Sequence, residues 1–460
     1  MLFSSFSFLF AFLPPLLLIY FLLKERDQRN LVLLVFSLIF YAWGEPLYVF
    51  LMIGMIVLNW LIGFQLVKEK KTLWLILGIL LDLGVLGVYK YADFAVRNIN
   101  GILHTSLEAP QLALPIGISF YTFQILSYLF DIYRGKVQPQ KKLLRFACYV
   151  SLFPQLIAGP IVRYADVERE LTERKENWED ASKGFRRFFY GLGKKVILAN
   201  SAAVIANKIF TLPLEELTFA TAWSGALAYT LQIYFDFGGY SDMAIGLGRI
   251  FGFHFLENFN DPYQADSITD FWRRWHISLS SWFRDYVYIP LGGSRKGLLR
   301  QIFNLFVVWA LTGLWHGAAW TFVLWGLWFF FLLVLEKLFL LKVLKKLPVL
   351  NRVYTLLCVI IGWVIFNSAG RYQIVAFLKA MFSRPSWPAG LFLKMGFLSL
   401  APALLAGVFF CTPLPKKISK ALGESERAEV LRDIGSLLVF FLCVLYLVNN
   451  SYNPFIYFHF

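Results

Sequence analysis

QIFNLFVVWALTGLWHGAAWTFVLWGLWFFFLLVL, residues 301–335, contains no aspartate, glutamate, lysine or arginine. As one helix it would reach about 52 Å, while the hydrocarbon core of a bilayer is roughly 30 Å thick. A run so apolar belongs in a membrane, and one so long has to tilt strongly or break. The expected break lies around Gly313 and Gly317, the glycines that flank His316. Non-helical backbone at membrane depth is tolerated only inside protein or beside a water-filled cavity. His316 is therefore expected beside free backbone groups in an internal cavity. Tight helix packing would explain the glycines. It would not explain a histidine, because an ionisable side chain at that depth is costly to keep.

Composition points the same way. Of the 460 residues, 58% are hydrophobic, 18% aromatic and only 16% charged, which excludes a soluble domain. The formal net charge of +15 is spread in short clusters between apolar runs. That distribution reads as topology and contact with lipid headgroups, and no basic domain or motif for binding nucleic acid accompanies it. Cys148, Cys358, Cys411 and Cys443 stand singly in apolar segments and read as small buried hydrophobes. With five dispersed histidines and no HExxH, neither a metal site nor a tightly bound cofactor is expected.

The pattern predicts an all-α polytopic protein of roughly eleven transmembrane helices with re-entrant and interfacial segments. A single integral membrane domain over 1–460 is expected, and no internal repeat is visible. The first apolar run, Phe6 to Leu23, has its cations (Lys24, Arg26, Arg29) behind it and no small-residue cleavage site, so it reads as a first span. Basic loops follow spans one, three and five: KERDQR at 24–29, KEKK at 68–71, and the cluster from Arg134 to Arg145. The loops after spans two and four are poor in cations. The basic set is then cytoplasmic and the amino terminus outside.

Phe146 to Pro160 is too short and proline-broken for a simple span and reads as a re-entrant or kinked segment buried by its neighbours. Arg163 to Arg187, the most charged stretch, reads as an amphipathic cytoplasmic helix or a solvated connector. In FDFGGYSDMAIGLGRIFGF, residues 235–253, the glycines permit either close helix approach or a broken helix. Asp236 and Asp242 need partners if buried, and Asp242 has a helix cap as its plainer reading. Leu391 to Phe410 is expected to be a further membrane segment.

A second histidine lies in FWRRWHISLSSWFRDYVYIPLGG, residues 271–293. If Phe271 to Tyr286 is helical, Trp272, Trp275, Leu279, Trp282 and Tyr286 form one aromatic stripe, while Arg273, Ser280 and Arg284 take another face. Such a helix suits the cytoplasmic interface, with His276 near the boundary of the faces. His276 and His316 would then face a site from different depths.

Imidazoles at membrane depth suit acyl transfer. A neutral ring can take a proton from a hydroxyl that attacks a thioester and return it to the leaving group, without a metal. His316 is the expected general base. His276 would orient the acceptor or stabilise an oxyanion. No GxSxG elbow or Walker A loop offers another chemistry.

WRRWHISLSSWFRDYVYIPLGG and LWHGAAW, preceded by FDFGGYSDMAIGLGR, resemble the membrane-bound O-acyltransferase family in its bacterial alginate O-acetyltransferase branch. The resemblance extends to MLFSSFSFLFAFLPP, FYAWGEP, FPQLIAGPIVRY and the terminal NPFIYFHF. It implies a funnel-shaped helical membrane protein of the bacterial cell membrane, with the family histidines at His276 and His316. Relatives pass an acyl group from a cytoplasmic thioester, acetyl-CoA or an acyl carrier, to acceptors outside. They commonly act with a partner protein bearing an extracytoplasmic serine-hydrolase-like domain. The acceptor implied is an exported or cell-wall polysaccharide. A sister group transfers D-alanine towards teichoic acids. Outside that chemistry, the competing class is a transporter of polymer or acyl donor, for which paired inverted repeats would be expected.

Overall fold

The computed structural model describes residues 1–387, 390, 397–449 and 455–456. Among these the secondary structure is entirely helical. Among the described residues six helices are long and apolar enough to cross a membrane, or seven if one pair bent by 71° counts as a single span. The roughly eleven expected are not reached by this measure. Two of the runs form helices of 16 residues, Ile118–Tyr133 and Trp320–Leu335, short of the roughly 20 that a crossing takes.

The chain divides into two units, 1–188 with 243–256, and 189–242 with 257–460. In the first, the elements in order are α1 (Leu13–Leu22), α2 (Arg26–Ala42), α3 (Tyr48–Gln65), α4 (Lys71–Leu103), α5 (Ile118–Tyr133), α6 (Leu143–Ser151), α7 (Phe153–Leu156), α8 (Tyr164–Val167), α9 (Glu170–Glu173) and the start of α10 (Trp178–Gly193). The run from Phe146 to Pro160 folds as expected into short, buried helices, α6 and α7. Phe153 packs against Phe12 at 5.4 Å and Phe40 at 5.5 Å between ring centres, and its N–H donates to Ser37 Oγ at 3.0 Å.

The charged stretch after Arg163 is not simply a surface helix. It turns Arg174 and Glu176 inward, because their charges meet partners there. Glu176 accepts from Tyr20, from Arg26 and, at 2.6 Å, from Arg29. Arg174 donates to Asn30 Oδ1 at 2.7 Å and to Phe251 O at 2.9 Å, with its guanidinium 4.4 Å from the Phe253 ring centre.

The second unit holds the end of α10, then α11 (Asn200–Phe210), α12 (Phe219–Ile250, shared with the first unit), α13 (Ile268–Arg274), α14 (Ile277–Phe283), α15 (Leu298–His316), α16 (Trp320–Leu335), α17 (Leu341–Leu344), α18 (Leu350–Asn367), α19 (Arg371–Met381), α20 (Phe397–Phe410), α21 (Leu414–Ala421) and α22 (Glu426–Asn449). The glycines of FDFGGYSD serve close approach, not a break. The helix runs on through them, and a methyl on Gly239 would lie 2.8 Å from Gly191 O. The two aspartates are both ion-paired from one π-turn, Lys194–Ala199. Lys195 meets Asp236 at 2.8 Å, both buried, and Lys194 meets Asp242 at 2.6 Å. Asp242 lies inside the helix, so the cap reading fails. Asp236 also accepts the Ile456 N–H at 2.8 Å. The rest of NPFIYFHF and residues 391–396 of the expected segment lie outside the described residues.

Candidate functional site

The expected helix over Phe271–Tyr286 does not form as one piece. Trp275 is extended, and His276 takes φ 45° and ψ 54°, a left-handed turn between α13 and α14. Two distant segments impose it. Asn258 O accepts the Ile277 N–H at 3.0 Å, and the Asn260 N–H donates to Arg274 O at 2.9 Å. At the other end of α13, the buried Glu336 carboxylate accepts from Ile268 N–H at 2.6 Å, Thr269 N–H at 2.9 Å and Thr269 Oγ at 2.7 Å. The two N–H groups are donors that a helix start leaves without intrahelical partners. The two short helices are thereby drawn inward.

The consequence corrects both the aromatic stripe and the place of His276. Trp272 and Trp275 do not line a membrane interface. Trp272 packs on Trp309 at 4.7 Å and Phe329 at 4.9 Å, and Trp275 on Trp363 at 4.8 Å. His276 is buried, edge-on to Phe237 at 4.6 Å.

At His316 the chain breaks as the length demanded. His316 is the last residue of α15, Gly317 is extended, and α16 begins at Trp320. The glycines also do what packing asks of them: a methyl on Gly313 would lie 2.5 Å from Phe322 O, and one on Gly326 would collide with Trp309 O. Backbone therefore lies on backbone between α15 and α16. His316 is buried among Trp315, Trp325 and Phe366, with ring centres 5.0, 4.9 and 5.2 Å away.

The structure brings the two histidines together. Trp315 packs on His316 at 5.0 Å and on His276 at 5.8 Å, so both imidazoles contact one indole. The same helices also line a cavity of about 290 Å³, walled by Trp272, Trp309 and Thr312 with Arg273, Arg284 and Tyr288, and neither histidine nor Trp315 is part of its lining. Trp309 and Thr312 precede His316 on α15, and Trp272 lies one turn before His276. Arg284 is turned to Asp285 at 2.7 Å. Among the described residues no group of three His, Cys, Asp or Glu is placed to hold a metal.

Sequence reasoning passed over Asn258, Ser278 and Glu336. Asn258 Oδ1 lies 3.1 Å from His276 Nδ1 and accepts from Ser278 Oγ at 2.9 Å. Glu336 is the charge that directly follows the apolar run 301–335. A buried glutamate so close to a membrane run was a signal that it had partners to find.

Residues 140–378 match the profile described as MBOAT, membrane-bound O-acyltransferase family. Over its whole length the chain is 41% identical to all of the probable alginate O-acetylase AlgI of Pseudomonas putida. It is 39% identical to the peptidoglycan O-acetyltransferase of Helicobacter pylori, over 71% of this chain and 68% of that one. The teichoic acid D-alanyltransferase of Bacillus subtilis matches more narrowly, 32% identical over 46% of this chain and 56% of that one. A profile matching more than half of the chain, together with similarity along its full length, places this multi-pass membrane protein in the membrane-bound O-acyltransferase family.

Proposed function

We propose that this O-acyltransferase passes an acetyl group from a cytoplasmic thioester to the hydroxyl of an acceptor that leads to an extracytoplasmic or cell-wall polysaccharide. One observation carries the site: two buried imidazoles pack on the same Trp315 indole, and the helices on either side of His276 and the helix that ends at His316 also line a tryptophan-rich cavity. His316 is the general base. It takes the proton as the acceptor oxygen bonds to the thioester carbonyl carbon. The tetrahedral adduct then expels the thiolate, which receives that proton, leaving an O-acyl ester and a free thiol. His276 acts on the acceptor hydroxyl. The apolar cavity suits the pantetheine arm of acetyl-CoA or of an acyl carrier, with Arg273 supplying positive charge for its phosphate. The donor is a substrate, not a resident cofactor.

Acetyl is favoured over D-alanyl because similarity to the acetylating relatives covers more of the chain. The spacing of basic loops supports a bacterial plasma-membrane location with the amino terminus outside. The acceptor step belongs with a partner protein carrying an extracytoplasmic serine-hydrolase-like domain, as the family resemblance suggests.

Proteoliposomes supplied with labelled acetyl-CoA test the reading. Thioester cleavage should fall at least ~100-fold in His316→Ala while membrane insertion is unchanged. A wild-type rate in that variant would refute the assignment. Intact donor accumulating inside the vesicles would indicate a transporter, and turnover of a D-alanyl carrier in place of acetyl-CoA would indicate D-alanyl transfer.

A further inference from the structure

Asn258 stands 18 residues before His276 and makes five polar contacts around it. Its backbone oxygen takes the Ile277 N–H at 3.0 Å. Its Nδ2 donates to Ser241 Oγ at 3.1 Å. Its Oδ1 lies 3.1 Å from His276 Nδ1 and accepts from Ser278 N–H at 3.3 Å and Ser278 Oγ at 2.9 Å. The Ser278 N–H can only donate, so the amide atom facing it is the oxygen. That settles which end of Asn258 meets the imidazole. Ser278 Oγ also lies 3.5 Å from Nδ1, but its proton is directed to Asn258.

A carbonyl-type oxygen facing Nδ1 requires a proton on that nitrogen. Nε2 then carries the lone pair. It is buried and has no hydrogen-bond partner among the described residues, and a buried acceptor left unmet is destabilising. We infer that Asn258 is a positioning residue that fixes the tautomer of His276, so that Nε2 meets the acceptor hydroxyl as a hydrogen-bond acceptor. The inference deepens the proposed reaction and rests on His276 belonging to it. It also separates the two roles open to His276. A neutral ring whose only N–H is tied to Asn258 has none to offer an oxyanion, so it orients the acceptor.

The anchoring suits the task. Asn258 and Asn260 bond the segment on both sides of His276, and the same amide that shapes the left-handed turn sets the ring proton. Second partners of this kind, when removed from functional histidines at metal sites, change activity or affinity by about 10–100-fold.

The test uses the full chain in proteoliposomes with acetyl-CoA and a hydroxyl acceptor, and compares Asn258→Leu, Asn258→Asp and His276→Asn. Asn258→Leu should lower kcat about 10–100-fold with little change in KM for acetyl-CoA. Asn258→Asp keeps an acceptor at Nδ1 and should restore most of kcat, with the acidic limb of the pH–rate profile moved to higher pH because the carboxylate favours the imidazolium. Nitrogen NMR of histidine-labelled protein, assigned by difference from His276→Asn, should show His276 protonated at Nδ1 in the wild type and shifting towards Nε2–H in Asn258→Leu. Wild-type kcat and an unchanged tautomer in Asn258→Leu would overturn the inference, as would Asn258→Asp being as inactive as Asn258→Leu with an unmoved pH profile. If His276→Asn turns over at the wild-type rate, the catalytic reading of His276 fails. The NMR result then still decides whether Asn258 sets the tautomer.

Discussion

His276 occupies a backbone region that costs an L-residue about 1–2 kcal/mol and that asparagine tolerates better than most residues. The turn therefore separates chemistry from folding at a single position. His276→Asn should insert and melt like the wild type while losing acceptor-dependent turnover. His276→Val should melt earlier, because a β-branched residue is strained there by about 1–3 kcal/mol. Thermal unfolding in detergent decides the point, and equal midpoints for Val and Asn would show that the turn is not held in solution. Trp315 is the other residue on which the pair depends, since it touches both imidazoles. Trp315→Ala should impair turnover more than Trp315→Phe, which keeps an aromatic wall; equal rates would show that the shared indole is dispensable.

Between α15 and α16 the decisive contact is backbone on backbone. Gly313→Ala puts a methyl 2.5 Å from Phe322 O, and no side chain can rotate away to make room. The helices would have to separate, disturbing His316 one turn later. The expected result is a lower melting midpoint together with lower acetyl transfer, and unaltered values of both would deny the close approach. This element was legible in the sequence because a simple length set against bilayer thickness demanded a break and the glycines marked it. The break at His276 was not legible. It is imposed through Asn258, 18 residues upstream, and through Glu336, 68 residues beyond Ile268, whereas the local aromatic spacing favours an unbroken helix. Periodicity sees a face; it cannot see a partner brought in by the fold. The same holds for Lys194 and Lys195. Two adjacent lysines look like a surface cluster until a π-turn sets one against Asp242 and the other against Asp236.

At the scale of the molecule, charge does two jobs that the sequence alone did not separate. Some clusters orient the chain in the membrane, while others are internal ties. Glu176 belongs to the ties. Burial alone would raise its pKa, but hydrogen bonds from Arg26 and Tyr20 outweigh that and hold it below the ordinary 4.5. A depressed folded pKa gives stability that is complete above the unfolded value and is lost as pH falls through the folded one. Glu176→Gln should therefore cost about 3 kcal/mol near neutrality, and the gap from wild type should close on acidification below the ordinary value. A gap independent of pH would mean that the charge is not what matters. By the alternation of basic loops, KEKK at 68–71 is expected to orient the chain. A cysteine placed at Lys70 should react in intact cells only with membrane-permeant reagents, and three of the four native cysteines are buried. Reaction with an impermeant reagent would invert the topology.

The uncharged hairpin of α15 and α16 also bears on how the protein is made. A ribosome delivers residues 301–335 without one formally charged residue, so nothing within them tells the insertion machinery where one helix ends and the next begins. The turn at Gly317 has no polar flank to hold it on either side of the membrane. Besides the close approach of α15 to α16, what walls it is α18, which packs against α16 and whose Phe366 touches the His316 ring. That helix is synthesised later. During biosynthesis the segment that will carry His316 is thus a single greasy stretch awaiting its neighbour, and the wall that Phe366 gives His316 is in place only when the chain downstream has arrived.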